Sequence, residues 1–510
     1  MPNLLARLAG QSGIYAFGNA VLKAGGLLLL LLYLDPALLA QAEYGRLILL
    51  ETAANIAIVM VGLGMAQGLL KYATDPEHAE DRSTLTFTTF ATTAGLAGLF
   101  TLAVVVSAPR LAVWILNDAA RAPAVRLMGV YAALKVLSAV PYMVLRIEER
   151  AGWFVTALVV EFTFLLGGVY YFLATRGLGL EGVLLGYVLS AGAVAALLSM
   201  GVLVRTRWAF QSRYARPLLA FGLPLVFANL AGVLLNTGDR FVVNALQGAE
   251  EVAVYGLAQK FGGLVYMLFV QSFSMAFAVL GLKALEETSG EVGNLHRRTF
   301  RHFAVLAGWG ALGVSILALD TTLLISPNPA YRDAEPLILP ISLGFVGYGI
   351  YYIAMNVLYA AKQTRRIAGN VIGVALLNLL LNLALVPPLG NMGAALATLI
   401  SYVALAALTM WQARHVVQIA FPWYALASVT LLVVGLWMLA QPSVDWAVGY
   451  RLSWRLGLVA LYPALVIGSE IYTHEEWRAI WKTMVRFVRY REHTAEGSEL
   501  SSQERRMADR

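Results

Sequence analysis

Apolar residues in this chain form continuous runs of spanning length, recurring to about residue 470 and each bounded by charge or by Gly/Pro turns. A hydrocarbon core about 30 Å thick needs roughly twenty helical residues to cross it. About fourteen runs reach that length. They lie at 12–34, 45–70, 84–106, 123–145, 153–175, 182–204, 217–246, 254–280, 300–326, 336–360, 367–386, 392–413, 421–440 and 453–471. Strands of a membrane barrel would alternate apolar and polar positions, and these runs do not. Lipid also demands that each segment close its own backbone hydrogen bonds. The pattern predicts an all-α polytopic membrane protein.

Composition agrees, with 59% hydrophobic and 13% charged residues and a mean hydropathy of +0.70. A soluble core cannot use that much apolar surface. The chain has no cysteine, which excludes disulfides, thiol catalysis and thiolate metal sites. A net charge of +7 could suggest nucleic acid, but basic residues flanking spans account for it. Placing the N-terminus in the cytoplasm puts about 25 of the 37 basic residues on that side. The predicted topology is N-in and C-in. "MPNLLARLAGQ" lacks a signal-peptide layout, so the first run is expected to stay as a helix.

Beyond the last span, Thr473 and Glu476 have capping-box spacing. Trp477, Ile480, Trp481, Met484 and Val488 then share one helical face, opposite basic residues such as Arg478 and Arg486. This predicts an in-plane amphipathic helix on the cytoplasmic leaflet, followed by a polar, disordered tail.

The chain also repeats itself. Tyr44-Gly45 and Tyr255-Gly256 stand 211 positions apart, as do "LGLEGVLLGYVLS" (from Leu178) and "LGNMGAALATLIS" (from Leu389). A shared offset predicts a duplicated six-helix unit, its copies related by a pseudo-two-fold axis along the membrane normal. The expected divisions are a first six-helix lobe over 1–210, a second over 211–416, two further transmembrane helices over 417–471, and the amphipathic helix and tail over 472–510.

The stretch from Ala220 to Gly263 carries Phe-Gly-x-Pro, Asn229, Asp239-Arg240-Phe241 and Val-x-Tyr-Gly-x-Ala-x-Lys. It resembles the seventh and eighth helices of bacterial polysaccharide-exporter flippases. "YGRLILLETAANIAIVMVGLGMAQGLLKYAT" is similar to that family's second helix, and "YMVLRIEERAGWF" to the loop before its fifth. The family belongs to the multidrug/oligosaccharidyl-lipid/polysaccharide (MOP) exporter superfamily. The resemblance implies two six-helix lobes around a central cavity. Fourteen spans suit its polysaccharide and lipid II branches better than its drug exporters.

Ionisable residues inside spans usually face a cavity or one another. At about 1.5 Å per helical residue, Lys23, Lys135 and Glu161 fall near mid-membrane. Glu51 lies nearer the outer face, and Asp239, Arg240 and Lys260 near the outer ends of the seventh and eighth spans. Asn229, Asn236 and Arg240 share a helical face; so do Tyr131, Lys135, Ser138 and Tyr142, and Asn19 stands one turn before Lys23. These residues are expected to line a wet cavity that binds substrate: Lys23, Lys135, Arg240, Lys260, Asn19, Asn229, Asn236, Tyr131 and Tyr142. Glu51, Glu161 and Asp239 are the ion-coupling candidates. A surplus of fixed cations suits a diphosphate or acidic sugar, and tyrosines suit the faces of sugar rings. The competing structural reading has Asp239 and Arg240 pinning helix ends by snorkelling. Adjacent residues point apart on a helix, so Lys260 is the expected partner of Asp239. Asn370, Asn378 and Asn382 read as interhelical hydrogen-bonding residues. Gly25, Gly26 and Pro224 are candidate bending points.

With no GxxxxGK(S/T) loop, any uphill work must draw on a gradient, the membrane potential or mass action. No metal site, cofactor or catalytic residue is expected, because the histidines form no ligand spacing. The combined reading is a non-enzymatic flippase of the bacterial inner membrane. It would translocate a polyprenyl-diphosphate-linked oligosaccharide by alternating access. Expected partners are that glycolipid, membrane lipids, a proton or sodium ion, and a glycan polymerase or glycosyltransferase. Nucleic acid is not expected, and the assembly is read as a monomer. The competing readings are a cation-coupled multidrug antiporter on the same fold and a membrane-embedded glycan polymerase or ligase.

Overall fold

The structure is a computed structural model of the 510-residue chain. It describes residues 26, 28–78, 80–274, 277, 292–417, 421–469, 471, 472, 476 and 478. Lys23, Asn19 and Gly25 lie outside the described residues, as does the predicted amphipathic helix apart from Glu476 and Arg478.

Among the described residues there is no strand, and twelve helices are long and apolar enough to cross a membrane. The molecule is a multi-pass membrane protein. After a helical segment at 28–33 come α1 (Gln41–Gly62), α2 (Met65–Ala73), α3 (Arg82–Leu116), α4 (Ala122–Ile147), α5 (Ala151–Val169) and α6 (Gly179–Arg205). Then follow α7 (Ser212–Thr237), α8 (Asp239–Gln247), α9 (Ala249–Val265), α10 (Val292–Ile325), α11 (Glu335–Ala360), α12 (Thr364–Leu389) and α13 (Asn391–Ala413). The last two are α14 (Trp423–Ala440) and α15 (Val448–Gly468).

Two predicted spans are not single helices. The run 45–70 breaks at Leu63 and Gly64, whose φ values of 45° and 66° are left-handed. Such a backbone cannot continue a right-handed helix. The run 217–246 is divided at Gly238 into α7 and α8. α7 continues through Pro224, and a side chain placed at Gly26 would meet nothing within 4 Å.

Packing explains both repeated motifs. Gly179 and Gly390 hold φ of 57° and 60°, which favours glycine. Three residues on, a Cβ at Gly182 would lie 2.8 Å from the Phe172 carbonyl oxygen, and one at Gly393 would lie 2.2 Å from that of Leu385. The first glycine of each motif turns the chain. The second lets the new helix start against the backbone of the one before. The Tyr-Gly pairs instead meet each other's helices. A Cβ at Gly45 (α1) would lie 1.7 Å from the Ala249 oxygen, and one at Gly256 (α9) would lie 2.3 Å from Ile48 Cδ1.

The densest packing runs within two sets of helices. α3 packs with α4, and α6 with both α4 and α5; farther along, α13 packs with α11 and α12, and α10 with α11. The sets meet through α1 against α9 and through α7, which touches α1, α2 and α3. The α14–α15 pair packs on α10. α15 is long enough to span, but it carries Arg451 and Arg455 and is not among the twelve. Asp320 of α10 receives both: Arg451 Nε at 2.7 Å and Arg455 Nη1 at 3.2 Å, with Arg455 wholly buried. Charges that argue against a span become tolerable once paired and hydrogen-bonded.

Candidate functional site

The helix sets touch at two levels. At one, Gly45, Ile48 and Gly256 bring α1 onto α9. At the other, a Cβ on Gly222 (α7) would lie 2.1 Å from the Leu63 carbonyl oxygen, and Gly68 (α2) faces Leu218. Glycine permits both approaches because the opposing surface is backbone or a branched side chain. The stretch of α1 between the levels runs from Glu51 to Gly62. Across the seam α1 as a whole packs on α7, α8 and α9.

Polar groups concentrate along this seam. Tyr187 of α6 donates to Glu51 Oε1 at 2.5 Å, Tyr33 lies 3.4 Å from the Tyr187 hydroxyl, and the Tyr131 ring is 5.3 Å from that of Tyr187. Arg240 of α8 donates to Thr52 Oγ1 of α1 at 3.1 Å, while its Nε has no partner. Lys260 of α9 stands over the rings of Tyr33 and Tyr44, at 5.8 and 5.6 Å, a cation–π arrangement. Arg240, Lys260 and Glu51 are each partly exposed.

Asp239 is not paired with Lys260, contrary to expectation. It is 2% exposed and accepts from the Tyr255 hydroxyl at 2.5 Å, from Thr398 at 3.3 Å and from its neighbour's backbone N–H (Arg240) at 2.9 Å. Gln259 adds a longer contact at 3.4 Å. Neutral donors from α9 and α13 take the place of the expected cation, because α8 turns Asp239 into its own helix set while Arg240 faces α1. Lys135 is likewise engaged: its Nζ lies 2.6 Å from Glu161 Oε1, and Tyr142 donates to the other carboxylate oxygen at 3.2 Å. This cluster joins α4 to α5 within the first set, so the Lys135 charge is neutralised locally.

Asn236 accepts from the Tyr402 hydroxyl and donates to the Gly232 carbonyl at 2.7 Å. Asn229 is exposed and lines a cavity of about 140 Å³ between the sets, together with Ile58, Gly62, Gly64, Gln67 and Val226. That volume holds a few waters, each claiming about 30 Å³ in liquid, and no sugar. Asn370 and Asn378 bond to Gln412 and Ser401 of α13, at 3.0 and 3.1 Å, and Asn382 bonds to Asn378. Sequence reasoning passed over Tyr33, Tyr187, Gln259 and Thr398, whose only sequence signal is polarity inside an apolar run, and read Tyr255 only as part of a repeated motif. It missed Asp320, Arg451 and Arg455 as well.

The sequence pattern of the polysaccharide biosynthesis protein family matches residues 37–325. No curated protein matches the chain. Among solved structures, the lipid II flippase MurJ in an inward closed conformation is similar, with a TM-score of 0.73 at 14% identity. That match covers 90% of this chain and 99% of the flippase. An inward-facing multidrug resistance MATE family transporter of the MOP superfamily matches with a TM-score of 0.60 at 15% identity, over 78% of this chain and 97% of that one. A MATE transporter of Vibrio cholerae matches with a TM-score of 0.56 at 16% identity, over 81% and 97% of the two chains. It shares the fold of these transporters, and with more than half its length inside that one sequence pattern the chain belongs to the polysaccharide biosynthesis protein family.

Proposed function

We propose that the protein is a flippase of the bacterial inner membrane. Its cargo is a polyprenyl-diphosphate-linked oligosaccharide, the repeat unit of a lipopolysaccharide, exopolysaccharide or capsule. The two helix sets act as lobes that separate alternately at the α1/α9 level and at the α2/α7 level. The observation that carries this reading is the seam itself: two glycine-mediated contacts between the same sets, with Glu51, Arg240 and Lys260 between them. An intramembrane charge is costly unless it is paired or meets water, so partly exposed charges between movable surfaces mark a path for a polar head. Among the described residues, Arg240 and Lys260 are the cations available to the diphosphate, while the polyprenyl tail stays in lipid. Of the three carboxylates, Glu51 is the one on the seam and the one placed to exchange a proton or sodium ion. Asp239 is enclosed by donors, and Glu161 is paired.

A cation-coupled drug antiporter shares the fold. Its chemistry calls for a carboxylate facing the cargo without a neighbouring cation surplus, and the seam has the opposite balance. Enzymes supplying the glycolipid and a polymerase consuming it are the implied partners.

The test uses the absence of native cysteine. Gln41 Nε2 donates to the Glu250 carbonyl at 3.2 Å across the α1/α9 level. A disulfide between Gln41→Cys and Glu250→Cys should stop flipping of a fluorescent polyprenyl-diphosphate glycan in proteoliposomes, and reduction should restore it. Full transport in the oxidised protein would reject alternating access at this level.

A further inference from the structure

The sequence "YGIYY" on α11 places Tyr348, Tyr351 and Tyr352 at i, i+3 and i+4, on one face of the helix. Two more tyrosines join them: Tyr266, where α9 opens into a π-helical turn (Tyr266–Gln271), and Tyr402 of α13. Tyr348 is the hub. Its ring lies 4.7 Å from Tyr402 and 5.5 Å from Tyr351, both stacked, 5.0 Å from Tyr352 edge-on, and 5.9 Å from Tyr266.

Phenylalanine would fill this space equally well and leave no hydroxyl to satisfy, so tyrosine calls for a polar neighbour. Tyr402 finds one in Asn236, whereas Tyr352 meets only other tyrosine hydroxyls, that of Tyr348 at a marginal 3.5 Å and that of Tyr266. Among the described residues the Tyr351 hydroxyl makes no hydrogen bond, and it is not one of the enclosed unpartnered atoms, so it reaches accessible space. Tyr266, Tyr348 and Tyr352 are themselves partly exposed. The hydroxyl edge of the cluster borders the seam through Asn236, which shares its helical face with Asn229, a cavity-lining residue. None of these residues is charged, and one turn beyond Asn236 stands Arg240.

Flat aromatic faces with an amide and several hydroxyls at the edge suit a ligand with apolar C–H faces and a rim of hydroxyls. We propose that Tyr266, Tyr348, Tyr352 and Asn236, braced from behind by the buried Tyr402, form a platform for a neutral sugar ring of the cargo. The sugar would be the one nearest the diphosphate, which Arg240 holds one helical turn away. This rests on the flippase reading above and adds to it a subsite with its own specificity: neutral rather than acidic sugars at that position.

The test compares two probes bound to the purified full chain in nanodiscs. One is a polyprenyl diphosphate bearing a single N-acetylglucosamine; the other is the same lipid without sugar. Wild type should prefer the glycosylated lipid by about tenfold, which corresponds to about 1.4 kcal/mol. Tyr348→Ala or Tyr352→Ala should cut that preference about three- to tenfold, with affinity for the bare lipid unchanged, and Tyr352→Phe should keep most of it. Thermal melting checks folding. Tyr352→Ala, which removes a partly exposed ring, serves if Tyr348→Ala does not fold. Equal binding of both lipids by wild type, or full preference in the alanine variants, would overturn the platform. Binding of neither lipid would overturn the flippase reading, and the platform with it.

Discussion

Replacing Gly222 with alanine tests the idea that the α2/α7 contact is a gate held shut by close packing. The new Cβ would sit 2.1 Å from the Leu63 carbonyl oxygen, with Gly64 carbon atoms at 3.0 and 3.1 Å, all of it backbone that cannot rotate away. Relief to an ordinary 3.4 Å contact requires the helices to part by about 1.3 Å. A gap of that order forfeits about a quarter to a half of each contact's roughly 0.1–0.2 kcal/mol. Over roughly 20–40 atom pairs of a two-turn contact, the closed state loses about 0.5–4 kcal/mol, centred on about 1–2 kcal/mol. Its population against the open state should then fall by about 5–30-fold. Because the chain has no cysteine, Val226→Cys places a single buried reporter in the cavity beside this contact. Its labelling by a membrane-impermeant maleimide should quicken by the same factor. Gly232→Ala, on the same helix with nothing within 4 Å of its Cβ, is the control and should leave the rate unchanged. Equal rates in the two variants would show that this contact does not control access.

Two further outcomes follow from the buried charges. Lys135→Met alone should lower stability by about 2 kcal/mol, less than the roughly 3–5 kcal/mol of a fully buried pair, because the lysine is 28% exposed. Adding Glu161→Gln should recover most of the loss in thermal melts in detergent, whereas additive losses would refute a direct pair. Asp320→Asn strands Arg455, which is 0% exposed, together with Arg451, and should cost about 3–5 kcal/mol. Hydrogen exchange across Val448–Gly468 should rise sharply, and unchanged protection would mean that α15 is held by its apolar face alone.

Helical class and the position of most spans were legible in the chain itself. A segment in lipid must satisfy its own backbone, and whether it can is written locally in its hydropathy. The repeated Leu-Gly-x-x-Gly motif was legible for a similar reason, since a left-handed turn followed by a close helix start is a local requirement that glycine meets. Tertiary structure alone decided which charges meet. Lys135 pairs with Glu161 on the next helix; Asp239 turns from Lys260 toward Tyr255 and Thr398; Asp320 binds arginines more than a hundred residues away. Hydropathy sets how deep a residue lies, but rotation about the helix axis and the identity of the neighbour come from packing between helices. For the same reason the Tyr348 cluster becomes a surface only when α7, α9, α11 and α13 are brought together.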